Sequence, residues 1–257
     1  MRRGRRAVAV AVTAAALGGC IQLSVNPDEL ASIQFDAPSS PSLVIGDSLR
    51  DTLGVREPLR ARVYAASGKE LPDVPVRYTA TDSLVRIVGS GLVVSRGNAT
   101  GTARLFATAG GLQSLSRALA VIRRPDSIAP SGTATRTVSY KRPTAATGVD
   151  STTTVTFVLR AGDQPVASVR VRFELLRRGV VLSPKDTSAF WLASTRGLPA
   201  VIDTTDGSGN VTRQLRFRTS ATAPGRDTLV VRALPSLGGP PLKGAPAAIT
   251  VVLQPAP

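Results

Sequence analysis

Few residue types in this chain could do chemistry, and each limits what that chemistry would be. Cys20 is the single cysteine, so the chain offers one thiol and no intrachain disulfide. Histidine is absent, which removes histidine-based triads, the usual zinc sites and the usual general base near neutral pH. Asp203, Asp206, Ser208 and Asn210 present oxygen atoms that could ligate calcium. The helix-loop-helix calcium pattern nevertheless fails, because Val211 stands where its glycine belongs and no glutamate closes the loop. A tight turn accounts for the same residues, since Asp, Gly and Asn tolerate positive φ. Trp191, the only tryptophan, follows Phe190 after a polar loop from Ser183 to Ser188. Exposed, its indole would stack on a sugar ring; buried, it would be packing. Arg170, Arg172, Arg216 and Arg218 sit at alternating strand positions and would line one sheet face, either holding phosphate or carboxylate groups or facing solvent. No glycine-rich phosphate loop or nucleophile elbow appears. The expectation is a chain without catalytic residues, cofactor or resident metal, with calcium at Asp203, Asp206 and Asn210 as a weak alternative.

The surroundings of Cys20 say more than the thiol itself. Arg2, Arg3, Arg5 and Arg6 precede an apolar run, Ala7 to Leu17, followed by Gly18, Gly19 and Cys20. Charged, apolar and small-residue regions in that order make an export signal. The apolar run is about 11 residues, short of the roughly 20 that span a bilayer as a helix. Leu17-Gly18-Gly19-Cys20 resembles the lipobox of bacterial lipoproteins. That resemblance implies a diacylglyceryl group on the Cys20 thiol, cleavage before it, and an acylated cysteine as the first mature residue. An ordinary signal beside a free cysteine stays open, as does twin-arginine export, although the arginine pairs lack the polar and aromatic neighbours of such a motif. By the same resemblance, Ile21 after the cysteine implies transport to the outer membrane in a cell that has one. At about 0.8 kcal/mol per buried methylene, two or three acyl chains anchor a protein durably where one does not.

The formal net charge is +15, and removal of the four signal arginines lowers it to +11. Nucleic acid is the reflex partner for so basic a chain. Export argues against it, and the arginines are interspersed along the chain rather than gathered in blocks. The partners expected are a membrane through the N-terminal lipid and, beyond it, an anionic glycan or another envelope protein.

From Leu23 onward, proline and glycine interrupt the chain too often for long helices, and short alternating or β-branched runs dominate. This is the pattern of an all-β sandwich. In the first half, strands are expected at Ser32 to Phe35, Ser42 to Ile45, Leu59 to Tyr64, Val74 to Thr81, Val85 to Val88, Gly91 to Ser95, Gly101 to Thr108 and Ser114 to Ile122. Ile45-Gly46-Asp47, Ser90-Gly91-Leu92-Val93 and Gly101-Thr102-Ala103-Arg104-Leu105-Phe106-Ala107-Thr108 resemble the group 2 bacterial immunoglobulin-like domain. Tyr78 departs from that family, where many members carry tryptophan, and Asp51 to Pro58 looks like an insertion.

Pro125, Pro130, Gly132, Pro143 and Gly148 suggest a linker from Arg123 to Asp150, with the domain boundary near residue 126, although Thr135 to Tyr140 would also serve as a strand. Beyond it, Val155, Phe157 and Leu159 alternate with polar residues, as do Val169, Val171, Phe173 and Leu175. Val211 to Arg218, Asp227 to Ala233 and Ala248 to Leu253 complete the set, with a tight turn at Asp206-Gly207-Ser208-Gly209-Asn210. The run Gly162 to Phe173, together with Thr205 to Val211, resembles the invasin- and intimin-type group 1 immunoglobulin-like domain. That resemblance implies a spacer or adhesive module without a catalytic set.

The expected organisation is a cleaved signal (1–19), a lipidated cysteine and tether (20–29), a group 2-like domain (30–124), then a linker and group 1-like domain (125–254). The expected role is a non-catalytic spacer, adhesive or envelope-associated binding module, anchored by lipid and facing the periplasm or the cell surface. The alternative is a carbohydrate-binding accessory lipoprotein using Trp191 and the arginine face.

Overall fold

The computed structural model describes residues 28–141, 149–219 and 226–256. Every regular element in them is a strand. No helix among the described residues is long and apolar enough to cross a membrane.

The first half contributes β1 (Leu30–Phe35), β2 (Ser42–Val44), β3 (Ala61–Ala65), β4 (Arg77–Ala80), β5 (Val85–Val88), β6 (Leu92–Ser95), β7 (Gly101–Ala109), β8 (Leu112–Gln113) and β9 (Arg117–Ile122). One layer runs β2-β9-β7-β4, with β8 folded back on β7. The other consists of two separate ladders, β1-β3 and β5-β6. Between the layers lie Phe35, Leu43, Leu49, Leu59, Val85, Val93, Leu105 and Leu119. Val76 and Tyr78 pack against this core as their alternation predicts. The Tyr78 ring lies 5.9 Å from that of Phe35 and so close to Gly91 that a Cβ there would meet it at 2.9 Å. An aromatic ring smaller than indole is accommodated at the cost of a glycine opposite.

The second half contributes β10 (Ser127–Pro130), β11 (Thr135–Tyr140), β12 (Val149–Ala161), β13 (Gln164–Pro165), β14 (Arg170–Arg177), β15 (Val180–Val181), β16 (Phe190–Ala193), β17 (Ile202–Thr204), β18 (Asn210–Thr219), β19 (Asp227–Pro235) and β20 (Ala247–Pro255). One sheet runs β10-β12-β18-β16, with β13 on β12. The other runs β11-β20-β19-β14-β15, with β17 on β14. The core between them holds Phe157, Phe173, Phe217, Leu215, Leu229 and Ile249, all 2% exposed or less.

Both halves share one connectivity. The opening segment is split: β1 joins one layer and β2 crosses to lie parallel to β9 in the other. Likewise β10 joins β12, while β11 crosses to lie parallel to β20. Four-stranded order on one side, with the final strands and the crossed-over segment on the other, is the immunoglobulin-like sandwich. The stretch Asp126 to Asp150, read from sequence as mainly linker, supplies β10, β11 and the start of β12, and only Arg123 to Asp126 separates β9 from β10. Proline and glycine suggested a flexible segment, yet Pro130 closes β10 at an edge, where its missing N–H is tolerated.

Candidate functional site

Leu17, Gly18, Gly19 and Cys20 lie outside the described residues. The other sequence-nominated residues are described, and they do not assemble into one site.

The four arginines do not share a face. β14 and β18 belong to opposite sheets, so Arg170 and Arg172 lie on the far side of the sandwich from Arg216 and Arg218. Alternation along a strand fixes which residues share a side of that strand, but not which sheet the strand joins. Arg172 pairs with Glu174 at 3.1 Å. Arg170 is turned away from solvent: its Nη1 donates to the carbonyl of Ser39 in the first sandwich, and burial lowers its pKa from the ordinary arginine value.

Trp191 is 6% exposed. Its β16 neighbours Phe190 and Leu192 turn toward the core, so the indole lies on the outer side of the sheet. Arg216, directly across the ladder, and Arg218 place their guanidinium carbons 5.9 and 5.8 Å from its ring centroid. Covered in this way, the indole presents no open face for a sugar. Arg216, Arg218 and Trp191 are therefore parts of one cation-π packing arrangement.

The residues nominated for calcium have other partners in the structure. Asp203 Oδ2 accepts from Arg213 Nη1 at 2.6 Å. Asp206 Oδ1 accepts from the backbone N–H groups of Ser208 and Asn210 at 2.8 and 2.9 Å, which is the turn rather than a metal loop. Among the described residues no group of three or more His, Cys, Asp or Glu gathers as a metal would need. Arg213 itself escaped the sequence reading. It occupies an inward position of β18 between Val211 and Leu215, is 4% exposed and lies 5.5 Å from the Phe173 ring. Burial lowers its pKa from the ordinary arginine value, although the Asp203 carboxylate works the other way.

The polar constellation that the structure does build lies between the two sandwiches. Asp47 follows the turn after β2. Its Oδ1 accepts from Ser48 N at 2.8 Å, Arg50 Nε at 3.0 Å and Arg50 Nη2 at 2.8 Å. Its Oδ2 accepts from Gly238 N of the second sandwich at 2.8 Å. Burial opposes the Asp47 charge, but the donors from Arg50, Ser48 and Gly238 outweigh it and hold the carboxyl below its ordinary pKa. Arg50 also donates to Gly54 O at 2.7 Å, and its guanidinium fills the space where a Gly238 side chain would stand. Around this centre, Ser42 Oγ donates to Ser168 O at 2.6 Å and Ser236 Oγ to Thr52 O at 2.9 Å. Arg124, in the short connection, donates to Gly238 O and Pro240 O at 2.6 and 2.7 Å. The segment Asp51 to Pro58 is thus the arm of the first sandwich that reaches the second. No local sequence signal could have revealed this, because the partners lie more than a hundred residues apart.

A groove of about 630 Å³ runs along the first sandwich beside β4 and includes Val76, Tyr78, Ile87 and the Gly110-Gly111 turn. It gathers no charged cluster or nucleophile.

No family model matches the sequence, and no curated protein matches it. Among solved structures, the chain is similar to the Yersinia pseudotuberculosis adhesin InvE, at 15% identity over 89% of this chain and 60% of that one, with a TM-score of 0.33. It is also similar to the D0-D1 domain of intimin, at 17% identity over 88% of this chain and 98% of that one, TM-score 0.27. The S-layer protein SbsC shows 13% identity over 88% of this chain and 28% of that one, TM-score 0.32. At such scores the likeness carries no argument of its own. The immunoglobulin-like assignment rests on the strand order.

Proposed function

We propose that this chain is an envelope-anchored lipoprotein acting as a non-catalytic spacer, adhesive or binding module. In this reading residues 1–19 are a cleaved signal, Cys20 carries the lipid, 21–29 form a tether, and 30–124 and 125–254 are group 2-like and group 1-like immunoglobulin-like domains. The outer membrane is the proposed location. The observation that carries the reading is the junction. Two sandwiches joined by a four-residue connection and clasped through Asp47, Arg50, Ser42, Ser236 and Arg124 form a unit suited to holding a surface at a distance from an anchor. The nominated chemical groups are meanwhile occupied in packing and turns.

Cys20→Ser tests the anchor. Metabolic labelling with palmitate should mark the parent chain and leave the variant unlabelled, with the variant moving to the soluble fraction; equal membrane retention of both would overturn lipid anchoring. Protease treatment of intact cells then separates the roles, since cleavage supports adhesion at the surface and protection supports a function within the envelope.

A further inference from the structure

We infer that the junction between the two sandwiches contains a binding site for a single water molecule, held jointly by Ser48 of the first and Arg170 of the second. A cavity of about 20 Å³ lies between them, lined also by Ser42, Asp47, Arg50 and Ser236. Two atoms of its wall, Ser48 Oγ and Arg170 Nε, are buried without a hydrogen-bond partner, and Ser48 is 7% exposed. Ser95 Oγ and Arg213 Nε, likewise unpartnered, lie outside this cavity.

The side chains of Asp47, Ser42 and Ser236 in the wall are engaged. Both Asp47 oxygens accept from Arg50, with Ser48 N and Gly238 N added. The hydroxyls of Ser42 and Ser236 donate to Ser168 O and Thr52 O. Unused hydrogen-bonding capacity is therefore carried by two residues that line this one cavity, one from each domain. A buried charged donor without an acceptor is among the costlier defects a folded chain can carry.

The chemistry of the occupant follows. It must accept from Arg170 Nε–H, which cannot itself accept. It must either donate to Ser48 Oγ or accept from it. A cation is excluded by the guanidinium groups of Arg50 and Arg170. The space just exceeds the roughly 10–15 Å³ that a single water requires, and the wall supplies the two or more polar partners such a water needs. The Asp47 carboxylate in the same wall repels an anion, which leaves water favoured over a halide. This site is independent of lipidation, so neither its presence nor its absence bears on the anchor.

The test is crystallographic. Crystals of the protein should show one density peak within hydrogen-bonding distance of both Ser48 Oγ and Arg170 Nε, with no anomalous signal there after a bromide soak. Arg170→Lys keeps the charge and removes Nε–H; Ser48→Ala removes the other partner. Each should abolish the peak while the Asp47–Gly238 contact persists, and the second variant serves if the first does not fold. A junction without density at this position, a bromide signal in the cavity, or a peak unchanged in both variants would each overturn the assignment.

Discussion

In the second sandwich, β12 runs against β18 over ten consecutive residue pairs, and four strands make a continuous sheet. In the first, the strands at the corresponding positions, β3 and β6, form no ladder, and their flanks are joined through the bond from Leu59 N to Gly91 O at 3.0 Å. The free side of β6 is taken instead by the segment after β2, through Leu49 N to Val93 O and Ser95 N to Asp47 O. That same segment then leaves the sheet as Arg50 and the Asp51 to Pro58 arm. The first sandwich thus gives up sheet continuity to build a contact with its neighbour. The cores differ accordingly: among the described residues the contiguous core cluster of the second holds 22 buried apolar side chains and that of the first 11. One fold tolerates both solutions because burial between the layers, rather than an unbroken ladder, supplies most of the stability.

Substitutions can separate these two designs. Phe157→Ala empties the centre of the larger core and should lower the stability of the second sandwich by about 3–5 kcal/mol, read by chemical denaturation. Unfolding of the first sandwich at an unchanged denaturant concentration would show the two to be independent, and a coincident shift would show the junction to couple them. Asp203→Ala leaves Arg213 buried without its ion pair. It should cost roughly 2–3 kcal/mol, below the range for a fully buried pair because Asp203 is partly exposed. Arg213→Met, which removes the charge as well, should cost less; the reverse order would show that the pair stabilises rather than merely satisfies itself.

At the junction the effect on each domain should be smaller and the effect on geometry larger. Asp47→Ala removes the acceptor shared by Arg50 and Gly238 and should cost about 1–3 kcal/mol. Small-angle scattering should at the same time report a wider distribution of interdomain angles. The pH dependence follows from the sign of the shift. The folded-state pKa of Asp47 is depressed, so its contribution is fully present above the unfolded carboxylate value of about 3.9. It is lost as pH falls from there through the lower folded value. Acid loosening of the junction should appear in that window and be absent in Asp47→Asn. The smallest effect is expected at Leu53→Ser, on the exposed tip of the arm, where stability should change by less than about 0.5 kcal/mol.

How much was legible in the sequence depended on whether the signal was local. β12 and most of β14 alternate clearly, and Val155, Phe157, Leu159, Val171 and Phe173 are buried as that pattern requires. β10 was missed because its small residues and closing proline look like linker, and only pairing with β12 makes it a strand. Arg213 was missed because an inward arginine breaks the alternation that identifies its strand; Asp203, ten residues earlier in the chain, allows it. Trp191 was legible as either packed or sugar-facing; it is packed, under arginines on a strand that sequence could not place beside it. The junction left no local trace at all. Gly238 is ordinary loop glycine until Arg50 of the other sandwich is seen to occupy its side-chain space.

The crossed-over strands also decide how the molecule behaves under a pull. β2 lies parallel to β9 across three residue pairs and β11 parallel to β20 across six. In each sandwich one of these strands lies near the point where the chain enters and the other near the point where it leaves. Tension along the chain draws such a parallel pair in opposite directions along its own axis, so the bonds between the strands are sheared together rather than unzipped in turn. With half as many pairs in that clamp, the first sandwich should yield at a lower force than the second, which stretching single molecules of the tandem would check.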